Sequence, residues 1–359
     1  MMAKQESDGT QRSGLADGAR PTLKTIAFMT GLGVTTVSRA LKDAPDIGEE
    51  TKKRVKLIAR QVGYRPNRAG VRLRTGKTNV ISLVLNTDEQ LMGFISDIIS
   101  GVSEELADSP YHLILTPVSG HNDPMDPVRY VVETQSADGI IISQIEPNDA
   151  RVRYLVEHGF PFATHGRTHM GIEHPWHDFD NHAFARQAVH ALAKAGRRRL
   201  ALLAPTPRLT YYRHMSDGFA EGLIETDAAE LPFRDAWVDM PIEEIKAQAL
   251  KLMRRPTPPD GIVCGSGAGA FALVSALEEC GLRLGEDIDI VTKQSSRLVQ
   301  MFRPRLLAVN EDFRRAGREL AKAVKASIAG ADPTTLQTLY VPETVERVGQ
   351  PPRPEFQGP

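Results

Sequence analysis

Cysteine is nearly absent: the 359 residues hold two, Cys264 and Cys280. Two cysteines cannot build a disulfide framework, and their apolar or helical surroundings read as buried thiols. Long apolar runs are absent as well. No stretch approaches eighteen residues, which excludes a membrane-spanning helix. The opening MMAKQESDGTQRSGLADGAR lacks the apolar segment of a secretory signal, so a cytoplasmic home is expected. No nucleophile, base and acid stand together as a catalytic set. No catalytic residue, cofactor or metal is therefore expected. What is present, 41% apolar and 25% charged residues, fits a globular chain of two or three domains.

The formal net charge of −1 conceals a strong asymmetry. Residues 1–78 carry 16 Lys/Arg against 7 Asp/Glu, a net of +9, which leaves 28 against 38, a net of −10, for the remainder. A basic N-terminal unit of that size points to a polyanionic partner.

Residues 1–20 are rich in Gly, Ser, Asp and Ala without periodicity and read as a disordered extension. Thr22 then stands as an N-cap before LKTIAFMT, whose Leu23, Ile26 and Ala27 fall at helical spacing. Gly31-Leu32-Gly33 breaks that helix, and a second begins at Val34 with Val37, Ala40 and Leu41 as its apolar face. After the loop KDAPDIG, EETKKRVKLIARQVG predicts a third helix, with Val55, Ile58, Ala59 and Val62 inward and the lysines outward. Three short helices, the first two joined by a glycine turn, form a helix-turn-helix unit. Its second helix places N-terminal residues against base edges in the major groove. The short side chains of Val34, Thr35, Thr36 and Ser38 permit close approach, and Arg39 can span to guanine or phosphate.

TLKTIAFMTGLGVTTVSRALKDAPDIGEETKKRVKLIARQVGYRPNRAGVRLRTGKT resembles the head of the LacI/GalR family of bacterial transcription regulators. The match rests on the TL start, the TVSRAL core, the EET opening of the third helix, and GYRPN followed by an arginine-rich segment. The resemblance implies that Val34, Thr35 and Arg39 read bases, with Thr22 beside the DNA. It also implies that RPNRAGVRL is a hinge helix that forms on DNA. There Asn67, Arg68 and Arg72 contact the backbone, and Leu73 wedges into the minor groove of a bent site. Gly33 replaces the family's usual serine N-cap, and Gly70 replaces an alanine, which weakens an isolated hinge helix by about 1 kcal/mol.

From Val80 onward, apolar strands alternate with helices in two similar halves, which implies parallel sheets covered on both faces. The expected fold class is an all-α helix-turn-helix head plus an α/β core. That core resembles the type I periplasmic-binding-protein-like fold, with two parallel-sheet subdomains. The expected divisions are 1–20 extension, 21–66 DNA-binding domain, 67–79 hinge and linker, 80–345 effector-binding and dimerisation core, and 346–359 flexible tail.

Ligand positions are placed by resemblance. Phe94, His165, Arg167, Asp180, Arg213, Ser266, Lys293 and Gln294 are the expected effector-binding residues. Trp176, between His174 and His177, is a candidate for stacking on a sugar face. Several of these depart from the family pattern. Ser266-Gly267 stands where an Asn-Asp pair is usual, Met215 where an arginine is usual, and Lys293-Gln294 within a usual Gly-Tyr/Phe-Asp-Asp. Polar and cationic groups with a few aromatics suit a sugar or sugar phosphate. The implied protein is a homodimeric or higher repressor that binds palindromic operator DNA under control of a small polar effector. The alternative is an enzyme. CGSGAGA, Cys264 to Ala270, loosely matches a nucleotide loop, and five histidines between His165 and His182 allow a metal site to be considered.

Overall fold

The computed structural model describes residues 21–64, 76–86, 94–118, 123–295, 299, 303, 305–342 and 345–347. The expected N-terminal extension, the hinge positions Asn67, Arg68, Arg72 and Leu73, and residues 348–359 lie outside that set. The chain divides between Thr78 and Asn79 into two units.

In the first unit, α1 (Leu23–Thr30), α2 (Val34–Ala40) and α3 (Glu49–Gln61) surround a small core of Ile26, Ala27, Val37, Ala40, Val55 and Ala59. Gly31 ends α1 at φ +70°, a left-handed conformation that glycine adopts without a Cβ penalty. Lys52 departs from the expectation of outward lysines. Its residue is 7% exposed, and its stem packs inward while the ammonium reaches Glu49 at 2.8 Å.

The second unit holds two six-stranded sheets. The first has strands β1 (Val80–Asn86), β2 (His112–Val118), β3 (Gly139–Ile142), β4 (Phe162–His165), β5 (Trp176–Phe179) and β11 (Gln337–Tyr340), in the order β11-β5-β4-β3-β1-β2. All its neighbours are parallel. The second has β6 (Arg199–Leu203), β7 (Ala229–Glu230), β8 (Gly261–Cys264), β9 (Asp289–Gln294), β10 (Leu307–Asn310) and β12 (Glu346–Arg347), ordered β12-β10-β9-β8-β6-β7, with only β12 antiparallel. Alternate side chains enter cores on opposite faces. Ile81 and Leu83 join one cluster while Val80 and Val84 join another, and Ile262 and Val263 divide in the same way.

The helices are α4 (Phe94–Leu106), α5 (Asp126–Thr134), α6 (Ala150–Glu157), α7 (Asn181–Lys194), α8 (Thr210–Thr226), α9 (Ile242–Met253), α10 (Gly267–Glu279) and α11 (Phe313–Ile328). After β5 the chain passes through α7 into the second half, and after β10 it returns through α11 to pack on α4. The two halves are therefore interleaved, not sequential. Glycine permits the tightest crossings: a Cβ built on Gly101 of α4 falls 2.0 Å from the Arg314 carbonyl oxygen of α11. Burial raises the Cys264 thiol to about 11, which makes it inert. No described helix is long and apolar enough to cross a membrane.

Candidate functional site

The first unit offers a surface on α2. Helix α2 buries Val37 and Ala40 completely and turns Val34, Thr35 and Arg39 outward, with Thr36 and Ser38 half-buried. The outward Arg39 guanidinium pairs with the exposed Asp46 at 2.6 Å. An exposed pair of this kind adds little stability, so Arg39 is readily transferred to a base or phosphate. Thr22 is engaged in a capping box: its backbone N–H donates to Thr25 Oγ1 at 3.1 Å, and its own hydroxyl accepts from Thr25 N at 3.4 Å. Arg54 donates to the Thr30 carbonyl and ties α3 to the end of α1.

The second unit contains a cleft of about 800 Å³, solvent at its mouth included. It is assembled from the C-terminal ends of parallel strands and the N-terminal ends of the following helices, where α/β sheets place ligands. Ser143-Gln144-Ile145 follow β3, His165-Gly166-Arg167 close β4, Gly265-Ser266-Gly267 join β8 to α10, and Lys293-Gln294-Ser295 end β9. Phe94, Asn181, Thr210 and Phe313 enter from the first residues of α4, α7, α8 and α11.

Two opposite-charge contacts dominate the walls. Lys293 Nζ lies 2.8 Å from Glu311 Oε2 and donates to Asn181 Oδ1 at 2.8 Å. Arg167 Nε lies 3.0 Å from Asp178 Oδ2, a charge contact without hydrogen-bond geometry. Arg167 also stacks over the Trp176 ring at 5.4 Å. Burial pushes the Asp178 carboxyl up to about 7, against the pull of Arg167. Burial holds the imidazoles of His165, His177 and His214 down at about 4, with Lys293 adding to the effect on His165 and Arg167 on His214. An apolar floor forms where Phe94 meets Phe313 edge-to-face at 4.8 Å and His165 at 5.6 Å. Thr210 Oγ1 and Gln294 Oε1 are buried without a protein hydrogen-bond partner among the described residues.

Of the eight expected effector positions, Phe94, His165, Arg167, Ser266, Lys293 and Gln294 line this cleft. Two expected positions do not. Asp180 is the N-cap of α7, its Oδ1 accepting from Ala183 N at 2.9 Å, and its neighbour Asn181 lines the cleft instead. Arg213 is two residues beyond Tyr211, about 200° round the helix. It is exposed and lies 3.6 Å from Asp217. Met215, at the family's arginine position, is fully buried. Trp176 lies on β5 behind Arg167 and does not line the cleft. Ser266 caps α10 by accepting from Gly269 N at 3.0 Å, which gives the glycine-rich stretch a structural task. His174 and His177 bond to the Ile172 carbonyl and the Thr338 hydroxyl. No group of three or more potential metal ligands occurs among the described residues.

The sequence reading missed Asp178, Thr210, Glu311 and Phe313. Asp178 was hidden because β5 looked like part of a histidine-rich loop. Phe313 opens α11, a strongly amphipathic helix whose pattern, DFRRAGRELAKAVKASI, is available in the sequence, and Glu311 lies just before its N-cap Asp312.

Comparison with known proteins gives this geometry a context. Residues 22–67 match the family described as bacterial regulatory proteins, lacI family, and residues 189–348 match a periplasmic binding protein-like domain. The chain is 31% identical over 347 residues to the HTH-type transcriptional regulator AglR of Rhizobium meliloti (strain 1021), covering 93% of this chain and 95% of that regulator. It is 32% identical over 325 residues to the HTH-type transcriptional regulator RafR of Escherichia coli, covering 89% and 96%. Among solved structures, a transcriptional regulator CelR-cellobiose complex shares the fold with a TM-score of 0.66 and 24% identity, covering 92% of this chain and all of that one. The lac repressor dimer bound to operator and the anti-inducer ONPF shares it with a TM-score of 0.77 and 19% identity, covering 92% and 99%. These relatives are regulators, and the enzyme alternative is set aside. With a helix-turn-helix head, a two-sheet core and 31% identity to such a regulator over 93% of its length, the chain belongs to the lacI family of bacterial regulatory proteins.

Proposed function

We propose that this regulator is a sequence-specific repressor that binds palindromic operator DNA as a homodimer and responds to a small saccharide held in the core cleft. Val34, Thr35 and Arg39 read bases, Thr36 and Ser38 approach the backbone, and the α1 N-terminus at Thr22 faces a phosphate. Asn67, Arg68, Arg72 and Leu73 enter the proposal from sequence alone, as hinge contacts and minor-groove wedge. Phe94, His165, Arg167, Ser266, Lys293 and Gln294, joined by Asp178 and Asn181, form the effector walls. The relatives support this reading: the solved lac repressor is a dimer on its operator, and the solved CelR holds cellobiose.

The observation that carries the DNA half is α2 itself, a helix that buries two small apolar residues and presents Val34, Thr35 and Arg39 outward from a basic unit. Effector control follows if the saccharide binds two arrangements of the core with different affinity. The test is selection of preferred sites from a randomised duplex library, followed by competition with saccharides. A palindromic consensus whose binding a saccharide strengthens or weakens is expected. A protein that selects no sequence, or whose binding no saccharide alters, overturns the corresponding half.

A further inference from the structure

We propose that the cleft is built for an uncharged polyhydroxyl ligand and rejects the phosphorylated and uronate forms of the same sugar. This rests on the reading of the cleft as the effector site.

Lysine and arginine in a sugar cleft ordinarily suggest an anionic ligand. Here both cations already have partners. An ammonium has three N–H donors. Lys293 donates one to Asn181 Oδ1 at 2.8 Å, and its Nζ lies 2.8 Å from Glu311 Oε2 as an ion pair. The Phe179 and Tyr211 rings flank its Nζ with centroids at 5.2 and 5.3 Å. Lys293 and Glu311 are 6% and 7% exposed, so this contact is part of the wall. Arg167, more exposed, faces Asp178 at 3.0 Å as a charge contact and stacks over Trp176. Once Asp178 is ionised, the two cations and two carboxylates of the lining sum to zero charge.

A phosphate that pairs with Lys293 competes with Glu311 for it, and displacing Glu311 leaves a buried carboxylate without a partner, the costliest outcome for a buried ion pair. Glu311 and Asp178 also repel an entering anion directly. Among the described residues of the lining, the buried polar atoms without a hydrogen-bond partner are Arg167 Nε and Asp178 Oδ2, which face each other as opposite charges, and two neutral atoms, the Thr210 hydroxyl and the Gln294 amide oxygen. The neutral atoms suit ligand hydroxyls, which donate and accept at no charge cost. The Phe94 and Phe313 rings supply apolar surface for the C–H face of a pyranose. Lys293 thus acts as a positioning residue, joining the first residue of α7 to the segment that leads into α11.

The test is isothermal titration at pH 8, where Asp178 carries its charge, with matched sets. Glucose, galactose and their common disaccharides are each paired with the 6-phosphate and the uronate. The neutral member of a binding set is expected to bind at least ten-fold tighter than its charged counterparts. A phosphorylated or uronate member that binds as tightly as its neutral parent overturns the proposal and leaves the saccharide reading intact. Absence of binding across all sets overturns the saccharide reading, and this inference falls with it. Glu311→Gln frees Lys293 and is expected to shift the charged-to-neutral affinity ratio at least ten-fold toward the phosphate. If that variant does not fold, Asp178→Asn tests the same logic through Arg167. An unchanged ratio in a folded variant refutes the role assigned to the paired charges.

Discussion

Removing Lys293 while keeping Glu311 isolates the contribution of the buried pair. At 2.8 Å and an effective dielectric constant of about 20, the attraction is about 6 kcal/mol, most of it offset by desolvating both ions. Lys293→Met strips Glu311 of its only ion-pair partner among the described residues, and a stranded buried charge costs about 3–5 kcal/mol. Glu311→Gln is expected to cost less, because the ammonium keeps Asn181 Oδ1 and the two aromatic rings. The double variant strands no charge and should lie within about 1–2 kcal/mol of the parent, giving a coupling of about 2–4 kcal/mol between the two positions. Urea unfolding of all four proteins, followed by far-UV circular dichroism at constant pH and salt, measures each corner of the cycle. Additive single effects, or a Lys293→Met loss below about 1 kcal/mol, would mean that the ammonium and carboxylate are solvated independently.

Other expectations concern packing, pH and DNA. Gly317→Ala should destabilise by about 1–3 kcal/mol or more, since the new Cβ lies 2.4 Å from the Ile98 carbonyl oxygen; a raised melting temperature would show that α4 and α11 can separate freely. His165, His177 and His214 titrate near 4 when folded and near 6.5 when unfolded, so between those values the unfolded chain binds more protons. Their contribution to stability is complete above pH 6.5 and is lost as pH falls toward 4; Asp178, raised to about 7, slopes the other way, and three groups outweigh one. A core whose unfolding free energy stays level from pH 6.5 to 4.5 would refute this. In saccharide titrations, ligand hydroxyls that donate to ionised Asp178, beside Arg167, His214, Lys293 and Glu311, should bind more weakly as pH drops from 8 to 6, and Asp178→Asn should remove that dependence. Arg39→Ala should relax preference at one base position by about 1–3 kcal/mol, read from competition with single-base operator variants; an unchanged consensus would place base reading elsewhere.

The sequence by itself determined the local structure and the family. Apolar spacing in LKTIAFMT, the Gly31 turn and the inward faces of α2 and α3 follow from side chains within a few residues, so the head was legible residue by residue. Strands such as VISLVL and DGIVCG announced a parallel sheet for the same reason: burial on both faces demands continuous apolar runs. Tertiary structure decided which polar residues share a cleft. Strand β5 presents His177 and Asp178 between sequence neighbours equally rich in histidine, and only its pairing with β4 and β11 fixes how they are oriented. Adjacent residues on a helix start also diverge: Asp180 caps α7 while Asn181 reaches Lys293. Most of all, Lys293 and Glu311 meet because β9 and β10 are parallel neighbours and the chain crosses between halves just after β10. A charge pair formed across eighteen positions of sequence has no periodic signature. The same lysine that reads as a hand for an anion in the sequence is, in the folded chain, already held.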